Sequence, residues 1–231
     1  MPDFINTIET LGDYVVFDSI VNRTITEFKD GRVSFIGKGA FNECTNLVTI
    51  DLPNVQSVSL MTFTNCKALT NVNMPLLTEV GEQMFRGCEN LKSISLPSMS
   101  GTTGYLAFEG CSTLEKIDIP LATEVDVYSF QGCIDLLRID LPSVKTIRTG
   151  GLQCNNLIAV ILRYDGICTL ENTNAFGTAI HNKRGYIYVP SALIDSYKSA
   201  TNWNNFASQF RALEDYTVDG TITGALDETK I

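Results

Sequence analysis

The sequence predicts a right-handed solenoid of mostly short parallel β-strands joined by irregular turns, with a cap at each end. Two periodic columns predict it. Five prolines (Pro53, Pro75, Pro97, Pro120 and Pro142) recur at spacings of 22, 22, 23 and 22 residues. Six cysteines (Cys44, Cys66, Cys88, Cys111, Cys133 and Cys154) keep spacings of 22, 22, 23, 22 and 21. Phe41, Phe63, Phe85, Phe108 and Phe130 follow the same beat, and Leu152 continues it. Independent landmarks sharing one period mark a stack of similar units, each too small to bury its apolar face alone.

The unit reads L-x-x-I-x-L-P, a variable stretch, then I/V-x-x-x-x-F-x-x-C. The first part is a short strand. Ile50 and Leu52 share its inner face, Asp51 points outward, and the following proline removes a backbone donor and ends the strand. Stacked units build one continuous core with a parallel sheet along one side. Each coil buries about five large side chains, at roughly 1.5–3 kcal/mol apiece before conformational entropy is subtracted.

Both ends of such a stack need covering. Residues 1–32 are the expected N-terminal cap, with a short helix over 13–21 (DYVVFDSIV) and a hairpin in which ITEF and VSFI flank Asp30-Gly31. Repeats occupy 33–190. They degrade toward the end: Leu152 replaces Phe, Arg163 replaces Pro, Thr178 falls near the expected Cys, and Ile187–Pro190 restores one last strand. The cap 191–216 is expected to be helical, with Ser191 capping a helix over Ala192–Lys198. Trp203, Phe206, Ala207, Phe210 and Leu213 have the spacing of a second amphipathic helix. Residues 217–231 form a polar tail. The extra residue in Ser98–Gly104 maps to a loop on one face.

The segments AFNECTNLVTIDLP (40–53), MFRGCENLKSISLP (84–97) and AFEGCSTLEKIDIP (107–120) resemble leucine-rich repeat proteins of the BspA-like, or treponemal, type. The chain departs from the commoner repeat at Val55, Leu77, Met99, Ala122 and Val144, where an Asn or Cys ladder would stand. The resemblance runs over roughly 33–190 and extends into IYVPSALIDSYKSATNWNNF, which looks like the ending of many such proteins. It implies a leucine-rich-repeat solenoid and a bacterial adhesion role, at the cell surface or secreted, with a protein or host-matrix ligand.

Composition narrows the chemistry. The chain has 231 residues, 44% of them hydrophobic, and a net charge of 17 − 26 = −9. That is too apolar for wholesale disorder and too acidic for a nucleic-acid partner. No signal peptide is expected in this chain, and no stretch approaches the roughly 18 apolar residues of a membrane span. Seven cysteines cannot all pair. A column with one thiol per coil advances about 5 Å per step, so four sulfurs cannot converge on one zinc. Free thiols filling small interior slots are expected, with Cys168 structural as well. The one histidine, His181, lies in an irregular segment. The glycines of 31–39 miss the phosphate-loop spacing and lack its Ser or Thr. No catalytic, metal or cofactor-binding residue is expected.

The outward strand positions form two rows. One is Thr49, Asn71, Ser93, Lys116, Arg138, Ala159 and Tyr186; the other is Asp51, Asn73, Ser95, Asp118, Asp140, Ile161 and Tyr188. The candidate binding face is Lys116, Asp118, Arg138, Asp140, Ile161, Tyr186 and Tyr188, because tyrosine and arginine anchor many interfaces. A plainer reading has Lys116 and Arg138 neutralising their aspartates while the apolar end packs under the C-terminal cap. The expected function is non-enzymatic protein recognition. The rivals are a receptor-binding accessory of a phage or prophage virion, which a leaderless chain suits, a cytoplasmic interaction scaffold, and an undetected hydrolase.

Overall fold

A computed structural model describes residues 10–11 and 24–216. The helix expected over 13–21 and the tail 217–231 lie outside the described residues.

The chain winds into stacked coils, and each coil contributes to two strand ladders, both parallel. The first ladder comes from the L-x-x-I-x-L-P segments. Glu27–Lys29, Thr49–Asp51 and Asn71–Asn73 form one hydrogen-bonded run, Ser93–Ser95 pairs with Lys116–Asp118, and Arg138–Leu141, Ala159–Leu162, Tyr186–Val189 and Phe210–Ala212 form a third run. The second ladder follows the proline turn. It includes Thr10–Leu11, Phe35–Ile36 and Ser57–Val58, and further on Ser100–Thr102, Leu121–Val125, Thr146–Ile147 and Thr169–Leu170.

The third side of each coil carries the F-x-x-C turn, and its backbone explains the motif. Two positions per coil have left-handed φ, two residues before and two residues after the phenylalanine. The first column is Gly39, Met61, Gln83, Leu106, Tyr128 and Gly150; the second is Glu43, Asn65, Gly87, Gly110 and Gly132. These corners turn alternate N–H groups toward the next coil. Gln83 N donates to Tyr105 O at 2.8 Å, Phe85 N to Ala107 O at 2.8 Å, and Gly87 N to Glu109 O at 2.7 Å. Glycine suits the later column because left-handed backbone strains any residue with a Cβ.

The main core is one line of buried side chains. Phe41, Phe63, Phe85, Phe108 and Phe130 stack with centroids 5.1–5.6 Å apart, and Phe28 packs on the end of the stack, tilted 57° to Phe41 at 5.1 Å. All seven cysteines are free and buried. Each thiol from Cys66 to Cys154 donates to the carbonyl of the phenylalanine one coil earlier, at 3.1–3.2 Å. The slot therefore offers a backbone acceptor, and the column is polar in a way that its spacing did not reveal.

Three expectations are corrected. Glu27–Lys29 and Phe35–Ile36 do not form a hairpin, since each belongs to a different parallel ladder. Asp30-Gly31 turns the corner between the two ladders. The Asp30 carboxylate accepts from the Arg32 backbone N–H and Nε, both at 2.9 Å, and Asn54 Nδ2 clasps Gly31 O at 2.6 Å. Ser191 does not cap a helix. It opens a 3-10 turn, Ser191–Leu193, ahead of the helix Ile194–Ser199, and its hydroxyl donates to Glu214 Oε1. The second amphipathic helix is a 3-10 segment, Trp203–Gln209, broken at Phe206, after which Phe210–Ala212 joins the sheet as a strand. Trp203, Phe206 and Phe210 are buried as the spacing predicts, but a turn and a strand carry them inward.

The extra residue near Ser98–Gly104 is absorbed locally. Gly101 and Gly104 take positive φ, and the register against the next coil steps between Ala122 and Glu124.

Candidate recognition surface

The outward rows of the first ladder are in register. Thr49 faces Asn71 and Asp51 faces Asn73; Ser93 faces Lys116 and Ser95 faces Asp118; Arg138 faces Ala159 and Asp140 faces Ile161. The rows also extend beyond the expected residues, with Glu27 and Lys29 at one end and Arg211 beside Tyr188 at the other.

The candidate face divides into two unlike halves. Ile161 and Tyr188 are each 1% exposed, so they are not available to a ligand. With Ala159 they form a small second core under Tyr186, Leu213 and Tyr216, and the Tyr216 ring meets that of Tyr188 at 5.0 Å. Burial raises the Tyr188 phenol above its ordinary value. Tyr186 is half-buried, with the Arg211 guanidinium 4.1 Å from its ring centroid. The segment that follows the last strand folds back over this end of the sheet, and strand alternation alone cannot announce that cover.

The two aspartates have other partners than the plainer reading gives them. Asp140 is held by Arg163, whose Nε lies 2.9 Å from both carboxylate oxygens and whose Nη2 lies 2.8 Å from Oδ2. Arg163 stands where the other coils have proline, so the degraded repeat position supplies the partner. Asp118 accepts from Ser95 Oγ at 2.8 Å. Lys116 makes no ion pair among the described residues, and Arg138 is exposed at the start of its strand.

The polar half forms an open groove of about 570 Å³. It straddles the place where the first ladder loses its hydrogen bonds, between Asn71–Asn73 and Ser93–Ser95. Lys29 and Asp51 line one end, Lys116 and Asp118 the other, with asparagines and serines between them. Asn71 Nδ2 reaches Thr49 Oγ1 at 3.3 Å and Asn73 Nδ2 reaches Asp51 Oδ1 at 2.7 Å. Both amides therefore direct a donor toward the preceding coil, and their carbonyl oxygens accept no hydrogen bond among the described residues. Sequence reasoning recognised Lys116 and Asp118 but not the small polar residues beside them, whose regular recurrence along both rows was the available signal.

Other chemistry is sparse. Desolvation pushes the Cys44, Cys111 and Cys168 thiols up to about 12, the reverse of what a nucleophilic cysteine requires. His181 is exposed, with its ring 5.6 Å from that of Phe206. Among the described residues, no three His, Cys, Asp or Glu side chains gather as metal ligands, and no helix is long and apolar enough to cross a membrane.

Comparison with known proteins places this geometry. The family described as "BspA type Leucine rich repeat region" matches in six copies, over residues 9–137 and 78–184. Among solved structures, a leucine-rich repeat protein from Eubacterium ventriosum is 23% identical, with a TM-score of 0.53 over 67% of this chain and 43% of its own. The T. pallidum leucine-rich repeat protein is 23% identical, with a TM-score of 0.43 over 55% of this chain and 71% of its own. A leucine-rich cell surface protein from Faecalibacterium prausnitzii is 18% identical, with a TM-score of 0.46 over 71% of this chain and 60% of its own. The chain thus spans less than two thirds of two of these three. No curated protein matches it.

Proposed function

The chain belongs to the BspA-type leucine-rich repeat family, and from that premise we propose that it is a non-enzymatic protein-recognition module displayed at a bacterial cell surface or secreted. The observation that carries this reading is the groove on the open sheet face. It sits on strands held by a continuous core, so its backbone is fixed in position before any ligand arrives and backbone ordering adds little to the entropy that opposes binding. Lys29 and Lys116 sit at its two ends, with Asp51 and Asp118 beside them. Such a surface matches a protein segment with complementary charges, and a protein or matrix ligand is what the family implies.

The face used is its polar half. Lys116, Asp118 and Arg138 remain candidates for contact, with Lys29, Asp51, Asn71, Asn73, Ser93 and Ser95 added. Ile161 and Tyr188 support the sheet from beneath the C-terminal cover.

The test has two arms. Protease treatment of intact native cells should release peptides of this chain if it is displayed. The purified chain should bind immobilised extracellular-matrix proteins, and Lys116→Glu should reduce that binding at least about tenfold while leaving the melting temperature unchanged. Protection from protease in intact cells, with none of the chain in the medium, contradicts the location. Unchanged binding by Lys116→Glu contradicts the surface.

A further inference from the structure

A second hollow lies on another side of the solenoid, where the repeat fails. The turn Phe130-Gln131-Gly132-Cys133 has two residues between its aromatic and its cysteine, but the next coil, Leu152-Gln153-Cys154, has one. The coil after that replaces the cysteine turn with a short helix, Thr178–His181. Gly177 lets this helix start against the shortened coil, since a Cβ there would come within 2.4 Å of the Cys154 carbonyl oxygen. The mismatch leaves a hollow of about 470 Å³ between the two glutamine turns and the helix. That volume lies within the range of roughly 300–1,000 Å³ usual for small-molecule sites.

The chemistry of the lining is uniform. Gln131, Gln153, Asn155, Asn174, Thr178 and His181 surround the hollow, and buried Phe176 lies in its wall. No Lys, Arg, Asp or Glu lines it, although such residues make up 19% of the chain. The amides are partly committed. Gln131 Nε2 donates to Gln153 Oε1 at 2.8 Å, and Asn155 Oδ1 accepts from the Thr178 N–H at 3.3 Å. What remains, among the described residues, is a mixture: the Gln131 carbonyl, the Gln153 and Asn155 NH2 groups, and the whole Asn174 side-chain amide.

We propose that this hollow binds a neutral saccharide. Paired donors and acceptors without charge match vicinal hydroxyls, each of which donates one hydrogen bond and accepts others. An anionic ligand would find no Lys or Arg in the wall, and a cationic one no Asp or Glu. The proposal concerns a different side of the molecule from the sheet groove and does not rest on the recognition role assigned to that groove.

The test is saturation-transfer NMR on the whole chain with lactose, cellobiose and N,N′-diacetylchitobiose as neutral probes and 3′-sialyllactose as an anionic one. At least one neutral disaccharide should bind. Gln153→Ala and Asn174→Ala should each weaken it about tenfold, the effect of losing one or two hydrogen bonds, with melting temperatures unchanged. Asn73→Ala, in the sheet groove, should bind as the parent does. The proposal is overturned if no neutral probe binds, if both hollow variants bind normally, if Asn73→Ala weakens binding equally, or if sialyllactose binds more tightly than every neutral probe.

Discussion

The Cys88 thiol donates to the carbonyl oxygen of Phe63, one coil earlier, at 3.2 Å. The same contact joins Cys66 to Phe41, Cys111 to Phe85, Cys133 to Phe108 and Cys154 to Phe130. It gives the two columns of the repeat one physical cause. Each of these carbonyls already accepts from the backbone N–H of the cysteine three residues on, as Phe63 O does from Cys66 N at 3.2 Å, and its remaining lone pair can take a second donor. Cysteine is small enough to fill the slot and still supply one.

These thiols are therefore inert while the chain is folded. A thiol-reactive dye should label none of the seven at neutral pH in buffer and all seven in denaturant. Burial also makes stability depend on pH. The folded Cys44 and Cys111 thiols titrate near 12, against an ordinary value of 9.0. Above that ordinary value the unfolded chain gives up protons that the folded chain keeps, so stability is full below it and falls as pH rises toward the folded values. The urea midpoint should drop in that alkaline window and stay level across the acid side of it as far as these groups are concerned.

Gly110 tests the left-handed corner. A Cβ there would meet only Gly87 atoms at 3.8 Å, an ordinary contact. Its φ of 74° is the sole obstacle to a side chain. Gly110→Ala should cost about 1–2 kcal/mol by urea denaturation, all of it backbone strain. Glu43→Gly, the reverse change in the same column at φ 61°, should be neutral or stabilising by up to about 1 kcal/mol.

Tyr197 ties the C-terminal cap to the last repeats. Its hydroxyl accepts from the Cys168 N–H at 2.8 Å and donates to Gly166 O at 3.2 Å. Trp203 Nε1 donates to Cys168 O at 2.6 Å, so both backbone polar groups of one buried residue are held by cap side chains. Tyr197→Phe keeps the ring and leaves the Cys168 N–H without a partner. It should cost about 1–3 kcal/mol in a urea titration, whereas Tyr105→Phe, on the surface, should cost nothing measurable.

The repeat region was open to sequence reasoning because every coil restates the same constraints. Ile50 or Phe85 can be assigned inward from the columns alone. The ends were harder for a physical reason. The spacing of Trp203, Phe206 and Phe210 records which residues face the core, and a 3-10 turn followed by a strand meets that demand as well as a helix does. Asp30-Gly31 has the chemistry of a hairpin turn, yet a solenoid corner uses the same chemistry. Ile161 and Tyr188 do alternate outward, but Leu213 and Tyr216 then cover them; the apolar end of the rows made that cover one of the two readings, and alternation alone could not choose between them. The amide hollow had one visible trace, the shortened interval between Cys133 and Cys154.

The central claim is that recognition resides in the polar half of the sheet face. Site-specific photocrosslinking tests it most directly. A photoreactive residue placed at Asn73, inside the groove, should give discrete protein adducts from an extracellular-matrix extract, and Lys116→Glu should abolish them. The same residue at Tyr105, exposed outside the sheet rows, should give none above background. Equal adducts at the two positions, or adducts at Asn73 that survive Lys116→Glu, would contradict the account.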